Sequence, residues 1–231
     1  MIEIIPAIMP KSFEDLKEKV SRVRGAVQTV QVDMCDGEFV QNKTWPYFDR
    51  DSQSLENILN EREGMPFWEE VDYELDIMVA GTHKNFDNFL RLGPKRLVFH
   101  LEAEGDRDLF LEFVESIDVY VRDTVQIGIA INTTTPVEEI FPFINHIDFV
   151  QCMGIEHIGK QGEPHDVKVI SHIKTIHDKY PDVTISVDGA VNFDTAGALL
   201  NAGATRLVIG SAILESTDIR ETIWEFQNLD N

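Results

Sequence analysis

Cysteine is nearly missing from this chain of 231 residues, with only Cys35 and Cys152 present. Two thiols so far apart build neither a disulfide framework nor a Cys-x-x-Cys site. Buried thiols in a reducing compartment are therefore expected, and with them a cytoplasmic location. Basic residues are also scarce: 20 Lys and Arg face 41 Asp and Glu, a net charge of −21. That charge repels phosphate backbones and anionic lipid, so neither nucleic acid nor a membrane surface is an expected partner. A small phosphorylated ligand stays compatible, because local backbone N–H groups outweigh a distant field. No apolar run approaches the roughly 18 residues of a membrane span. The opening MIEIIPAIMPKSFEDL lacks the basic region and apolar run of a secretion signal. Linker-like and low-complexity stretches are absent as well, so a single domain over 1–231 is expected. A chain of this size buries roughly 70–75% of its unfolded surface and needs no staple to fold.

What is present is alternation. Short apolar runs at Ile2–Ile8, Thr29–Asp33, Tyr73–Val79, Arg96–Leu101, Val125–Ile131, Asp148–Met153, Val183–Asp188 and Arg206–Gly210 read as strands. Segments of helical spacing separate them. Ser12 caps a helix over Phe13–Val23, and Lys84–Leu92, Asp108–Val121 and Val167–Lys179 carry apolar residues on one face. Pro136 suits a first helical position, and Asp194–Asn201 runs into Gly203 as a stop. Eight such units in this length predict an α/β fold of the (β/α)8 TIM barrel class. The least regular stretch, about 38–67, holds Trp45, Pro46, Tyr47 and Phe48 and reads as a lid, a partner-binding insertion or a packed surface loop.

In such a barrel, chemistry belongs at the C-terminal ends of the strands. That rule selects Asp33, Asp76, His100, Asn132 and Asp188. An aspartate that closes an apolar strand must be partnered or desolvated, and desolvation favours its protonated form. Two such carboxyls facing one cavity can take and return a proton. A second constellation consists of small-residue turns: Gly189–Ala190 after the seventh strand and Gly210–Ser211 after the eighth, where barrels commonly hold a phosphate. The loop after the sixth strand adds Gly159 and Lys160, placed to close over a ligand.

Together these segments resemble the ribulose-phosphate 3-epimerase family. VQVDMCDGEFVQNKTW is similar to its His-x-Asp-x-Met-Asp-Gly-x-Phe-Val-x-Asn stretch, the most specific of the signatures. IIPAIMP, LDIMV, FHLEA, AINTTTP, VDGAVN and AGATRLVIGSAI match further family segments in order. The resemblance implies a ribulose-phosphate-binding type of barrel and an epimerase or isomerase that inverts C3 of D-ribulose 5-phosphate or a related ketose phosphate. It implies Asp33 and Asp188 as the acid–base pair, and Gly159, Gly189, Ala190, Gly210 and Ser211 around the phosphate. Met78 and His100 are then substrate contacts. It also implies a divalent metal, and a homo-oligomer stays open.

The departures from the family pattern concern that metal. The family uses two histidines with the two aspartates; here Gln31 and Asp76 stand in their places. A neutral imidazole suits Zn²⁺, whereas Gln31, Asp33, Asp76 and Asp188 form a harder, all-oxygen set that suits Mg²⁺ or Mn²⁺, with Zn²⁺ and Fe²⁺ kept open. The alternative is a protonated aspartate and no metal, with Lys160 or Lys43 as a substitute cation. Family methionines are read as replaced by Cys35 and Cys152, the first serine by Ala7, and Gln161 as retained. Two other functions stay open: another phosphate-binding barrel lyase or decarboxylase, and a non-catalytic phosphosugar-binding homologue. His157 and His165 are expected to be idle loop residues, and His83, His146, His172 and His177 to be on the surface. Ile223, Trp224 and Phe226 are expected to be core.

Overall fold

The computed structural model describes residues 2–48, 52–160 and 162–229. Eight parallel strands close into one barrel in chain order: β1 (Glu3–Ile8), β2 (Thr29–Cys35), β3 (Asp72–Met78), β4 (Arg96–His100), β5 (Gln126–Ile131), β6 (Phe149–Met153), β7 (Thr184–Asp188) and β8 (Arg206–Ile209). Around them run α1 (Phe13–Val23), α2 (Ser52–Leu59), α3 (Phe86–Arg91), α4 (Arg107–Ser116), α5 (Val119–Arg122), α6 (Lys168–Lys179), α7 (Phe193–Ala202), α8 (Ser211–Leu214) and α9 (Ile219–Gln227).

The period of two along each strand sorts the residues. On β2, Val30, Val32 and Met34 join the large outer core, as do Leu75 and Ile77 of β3 and Ile185 and Val187 of β7. Their neighbours Gln31, Asp33, Glu74, Asp76, Ser186 and Asp188 are left to the inside of the barrel. Parallel pairing sets Gln31 beside Glu74, Asp33 beside Asp76 and Met153 beside Asp188. Helix starts are fixed locally. Ser12 Oγ accepts from the Asp15 N–H, and Asn192 forms a reciprocal capping box with Thr195.

Several expectations need correction. The helix expected over Asp108–Val121 is two, because Asp118 starts a new cap and accepts from the Tyr120 N–H. After Pro136 the chain forms a 3-10 stretch, Val137–His146; Pro142 inside it lacks the N–H that an α-helix would need. His172 is buried, since it shares the inward face of α6 with Val169, Ile173 and Ile176. Trp224 is 63% exposed while Ile223 and Phe226 are buried. On a helix one step turns the side chain about 100°, and the step from Ile223 carries Trp224 off the buried face that Thr222, Ile223 and Phe226 make. Trp45, by contrast, is fully buried against Phe13, and its indole N–H donates to Ser54 Oγ. That part of the 38–67 stretch is packed into the fold.

Candidate active site

Gln31 ties the inner face of the barrel together at its C-terminal end. Its Nε2 donates to Asp33 Oδ1 at 2.7 Å and to Asp188 Oδ2 at 2.8 Å. β2 and β7 are separated by β1 and β8, so the amide links carboxyls that arrive from two sides of the barrel. One step away, Asp76 Oδ1 lies 2.7 Å from His100 Nε2, and Gln151 Nε2 reaches Asp76 Oδ2 at 3.5 Å. One oxygen from each of Asp33, Asp76 and Asp188 lies within 4.8 Å of the others.

Burial and mutual repulsion set the protonation of this cluster. The Asp33 carboxyl is held well above the usual carboxylate range, by burial first and then by the charges of Asp188 and Asp76. Burial followed by Asp76 raises Asp188 as well, while the Gln31 hydrogen bond, His100 and the Gly189 N–H pull it back. The pair therefore shares protons rather than ionising independently. For His100, burial disfavours the imidazolium, but the charge and hydrogen bond of Asp76 outweigh it and its pKa rises. Burial pushes both thiols up, so neither cysteine is a ready nucleophile.

Above the cluster opens a cavity of about 450 Å³, and Asp33, Asp188 and Met78 line it. The candidate phosphate residues Gly159, Gly189, Ala190, Gly210 and Ser211 line it too. Two of these positions explain their own residue type. Gly189 has φ +104°, and a Cβ there would meet Ile155 Cγ1 at 2.8 Å. A Cβ on Gly159 would meet Val40 at 2.7 Å, because Phe39 and Val40 fold over Cys35, Met78 and Ile158. Ala190 holds φ +53° without being glycine, a strained turn of the kind found at binding sites.

The remaining expectations fall in various places. His100 is fully buried, bonded to Asp76 and packed on the Phe39 ring, and it is not among the residues that line the cavity. Cys152 faces the outer core; Met153 is the β6 residue that lines the cavity. Cys35 packs on Met78. Lys160 reaches the cavity wall but is held by Glu163 at 2.8 Å. Lys43 folds over Gly37 and does not line the cavity. Asn132 binds loops: its N–H donates to Glu102 Oε1 and its Nδ2 to the Glu156 carbonyl. Gln161 lies outside the described residues. Sequence reasoning missed Gln151 and Ser186, and it set aside His165, which lines the cavity. The first two sit two residues before Met153 and Asp188, and the strand period could have found them.

A closed eight-stranded barrel with a carboxyl cluster under small-residue turns defines the class: a TIM barrel with a ligand cavity at the C-terminal rim. The family model of the ribulose-phosphate 3 epimerase family matches residues 3–214. The chain belongs to that family, which places it among epimerase-type isomerases. Among curated relatives, ribulose-phosphate 3-epimerase of Schizosaccharomyces pombe is 26% identical over 98% of this chain and 92% of its own. The Bacillus subtilis ribulose-phosphate 3-epimerase is also 26% identical, over 98% and 99%. Among solved structures, KGPDC from Streptococcus mutans superposes with a TM-score of 0.69 at 13% identity, covering 98% of this chain and 96% of that one.

Proposed function

We propose that the chain inverts the carbon beside the ketone of a ketose phosphate, C3 of D-ribulose 5-phosphate or a close relative. The observation that carries this reading is the Asp33–Gln31–Asp188 bridge at the floor of the cavity. Epimerisation needs a carboxylate that removes the C3 proton and a carboxylic acid that returns one on the opposite face; in the reverse direction the roles exchange. Burial and mutual repulsion raise the proton affinity of both members, so one can hold a proton while the other is ionised. The two Gln31 N–H bonds fix both carboxyl orientations without adding charge. The turns at Gly189–Ala190 and Gly210–Ser211 line the same cavity, and residues this small let backbone N–H groups approach a phosphate.

The donor set fits a divalent ion. Three carboxylate oxygens converge, and Gln31 Oε1 is buried with no other partner. Asp33, Asp76, Asp188 and Gln31 would hold it, and oxygen donors favour Mg²⁺ or Mn²⁺. Such an ion would polarise the C2 carbonyl and offset the charge of the enediolate. The test is incubation with D-ribulose 5-phosphate in D₂O, with Mg²⁺, Mn²⁺, Zn²⁺ or Fe²⁺ or with chelator. Deuterium appearing at C3, together with xylulose 5-phosphate, is the expected result; no exchange under any condition removes the proposal.

A further inference from the structure

One cavity residue has no part in the proton transfer. His165 lines the same wall as the turns after β7 and β8, and the backbone pins it there. The Asp166 N–H donates to the Gly154 carbonyl at 2.8 Å, and the Gly154 N–H donates to the Asp188 carbonyl at 2.6 Å. Gly154 is packed so tightly on this turn that a Cβ would fall 2.2 Å from the Gly189 carbonyl oxygen. The loop therefore cannot back away from the β7 turn, and His165 stays beside it.

The charges around it point to its ligand. Asp33, Asp188, Glu163 and Glu215 all line the cavity. Lys160 also lines it, but Glu163 holds its Nζ at 2.8 Å and takes His157 Nδ1 at 3.3 Å besides. The adjacent Asp166 carboxylate accepts from the Lys168 N–H at 3.0 Å and lies 3.8 Å from its Nζ. A doubly charged phosphate entering here faces four carboxyl groups and needs a side-chain donor that is not already engaged. His165 Nδ1 is buried and meets no partner. In the tautomer with the proton on Nε2, the buried atom without a partner is the bare nitrogen Nδ1, and the N–H lies on the other side of the ring. That proton is then available to a ligand.

We propose that His165 is a specificity-determining residue: its imidazole N–H completes the phosphate subsite and makes the cavity select phosphorylated over unphosphorylated ketoses. The inference rests on the epimerase reading for the sugar but not for the anion. The experiment compares wild type, His165→Phe and His165→Gln, each checked for folding by thermal melting. Calorimetry measures inorganic phosphate and D-ribulose 5-phosphate binding, and kinetics measures D-ribulose 5-phosphate beside unphosphorylated D-ribulose. In His165→Phe, phosphate affinity should fall roughly tenfold, the size of one hydrogen bond to a charged group. KM for the phosphorylated sugar should rise more than kcat falls, and unphosphorylated D-ribulose should be used relatively better. His165→Gln, which restores a donor, should recover part of the affinity. Unchanged phosphate affinity in a folded His165→Phe overturns the inference even if C3 exchange persists. Lost phosphate affinity in a chain that never exchanges C3 supports it while ending the epimerase reading. A wild type that binds neither phosphate nor the sugar phosphate overturns both.

Discussion

At the N-terminal end of the barrel interior, Arg96 Nη2 lies 2.8 Å from Glu3 and its Nη1 3.4 Å from Glu74, while Arg206 Nε lies 3.0 Å from Glu3. At the C-terminal end, Asp33, Asp76 and Asp188 converge with one buried imidazole and one bridging amide. Both layers are polar and both are enclosed by the same strands. The lower layer sets two guanidinium groups against two carboxylates and acts as a plug. In the upper layer, burial and then the neighbouring like charges make Asp33 and Asp188 hold protons that they would lose in water. A buried charge that is paired locks structure; one left with its like is poised for proton transfer.

The largest effect should come from Asp188→Asn. Turnover should fall roughly 10²- to 10⁴-fold, the usual worth of a general acid or base. Removing a repelling carboxyl should leave the melting temperature level or higher, and a marked drop would mean that the upper layer is structural after all. Next is Arg96→Met in the lower layer, which leaves the fully buried Glu74 without its nearest cation. Loss of one partner of a buried pair costs about 3–5 kcal/mol, read by urea unfolding at neutral pH.

Glu74→Gln sharpens the contrast further. Burial pushes the Glu74 carboxyl up to about 7 against the pull of Arg96 and Arg206. An unfolded glutamate titrates near about 4.3, so the folded state holds this proton more tightly. Its contribution is complete below that value and is lost as pH rises to about 7. The variant should lose less stability than wild type between about pH 4.5 and pH 7, by up to about 3 kcal/mol. Parallel curves for the two proteins would contradict the assignment. The smallest effect is expected for Gln31→Leu. Its hydrogen bonds lower the proton affinity of both Asp33 and Asp188. Without them, the acid limb of the kcat/KM profile should move up by about one pH unit, or about 1.4 kcal/mol. An unmoved limb would show that the bridge does not tune the pair.

Much of the barrel was legible because each strand is a short apolar run bounded by turn residues. Those runs follow from burial on both faces and need no tertiary information. The exposure of Trp224 was not legible, since it depends on which face a neighbouring element covers, and the helix break at Asp118 was overlooked although its cap is local. At the site, Asp33 and Asp188 stood out as carboxyls closing apolar strands. The pairing of Asp76 with His100 did not. Nothing in LDIMV or FHLEA says that β3 and β4 bring these two within 2.7 Å.

The order of strands and helices, the acidic balance, the strand-end carboxyls and the glycine turns are properties of the chain read in one dimension. Periodicity and residue chemistry determine them before any contact is known. Barrel closure decided the rest. It ran Gln31 between carboxyls from β2 and β7, joined His100 of β4 to Asp76 of β3, and turned Cys152 out and Met153 in. Proton affinity and hydrogen-bond partnership depend on distance and burial, and distances between remote segments exist only once the sheet has closed on itself.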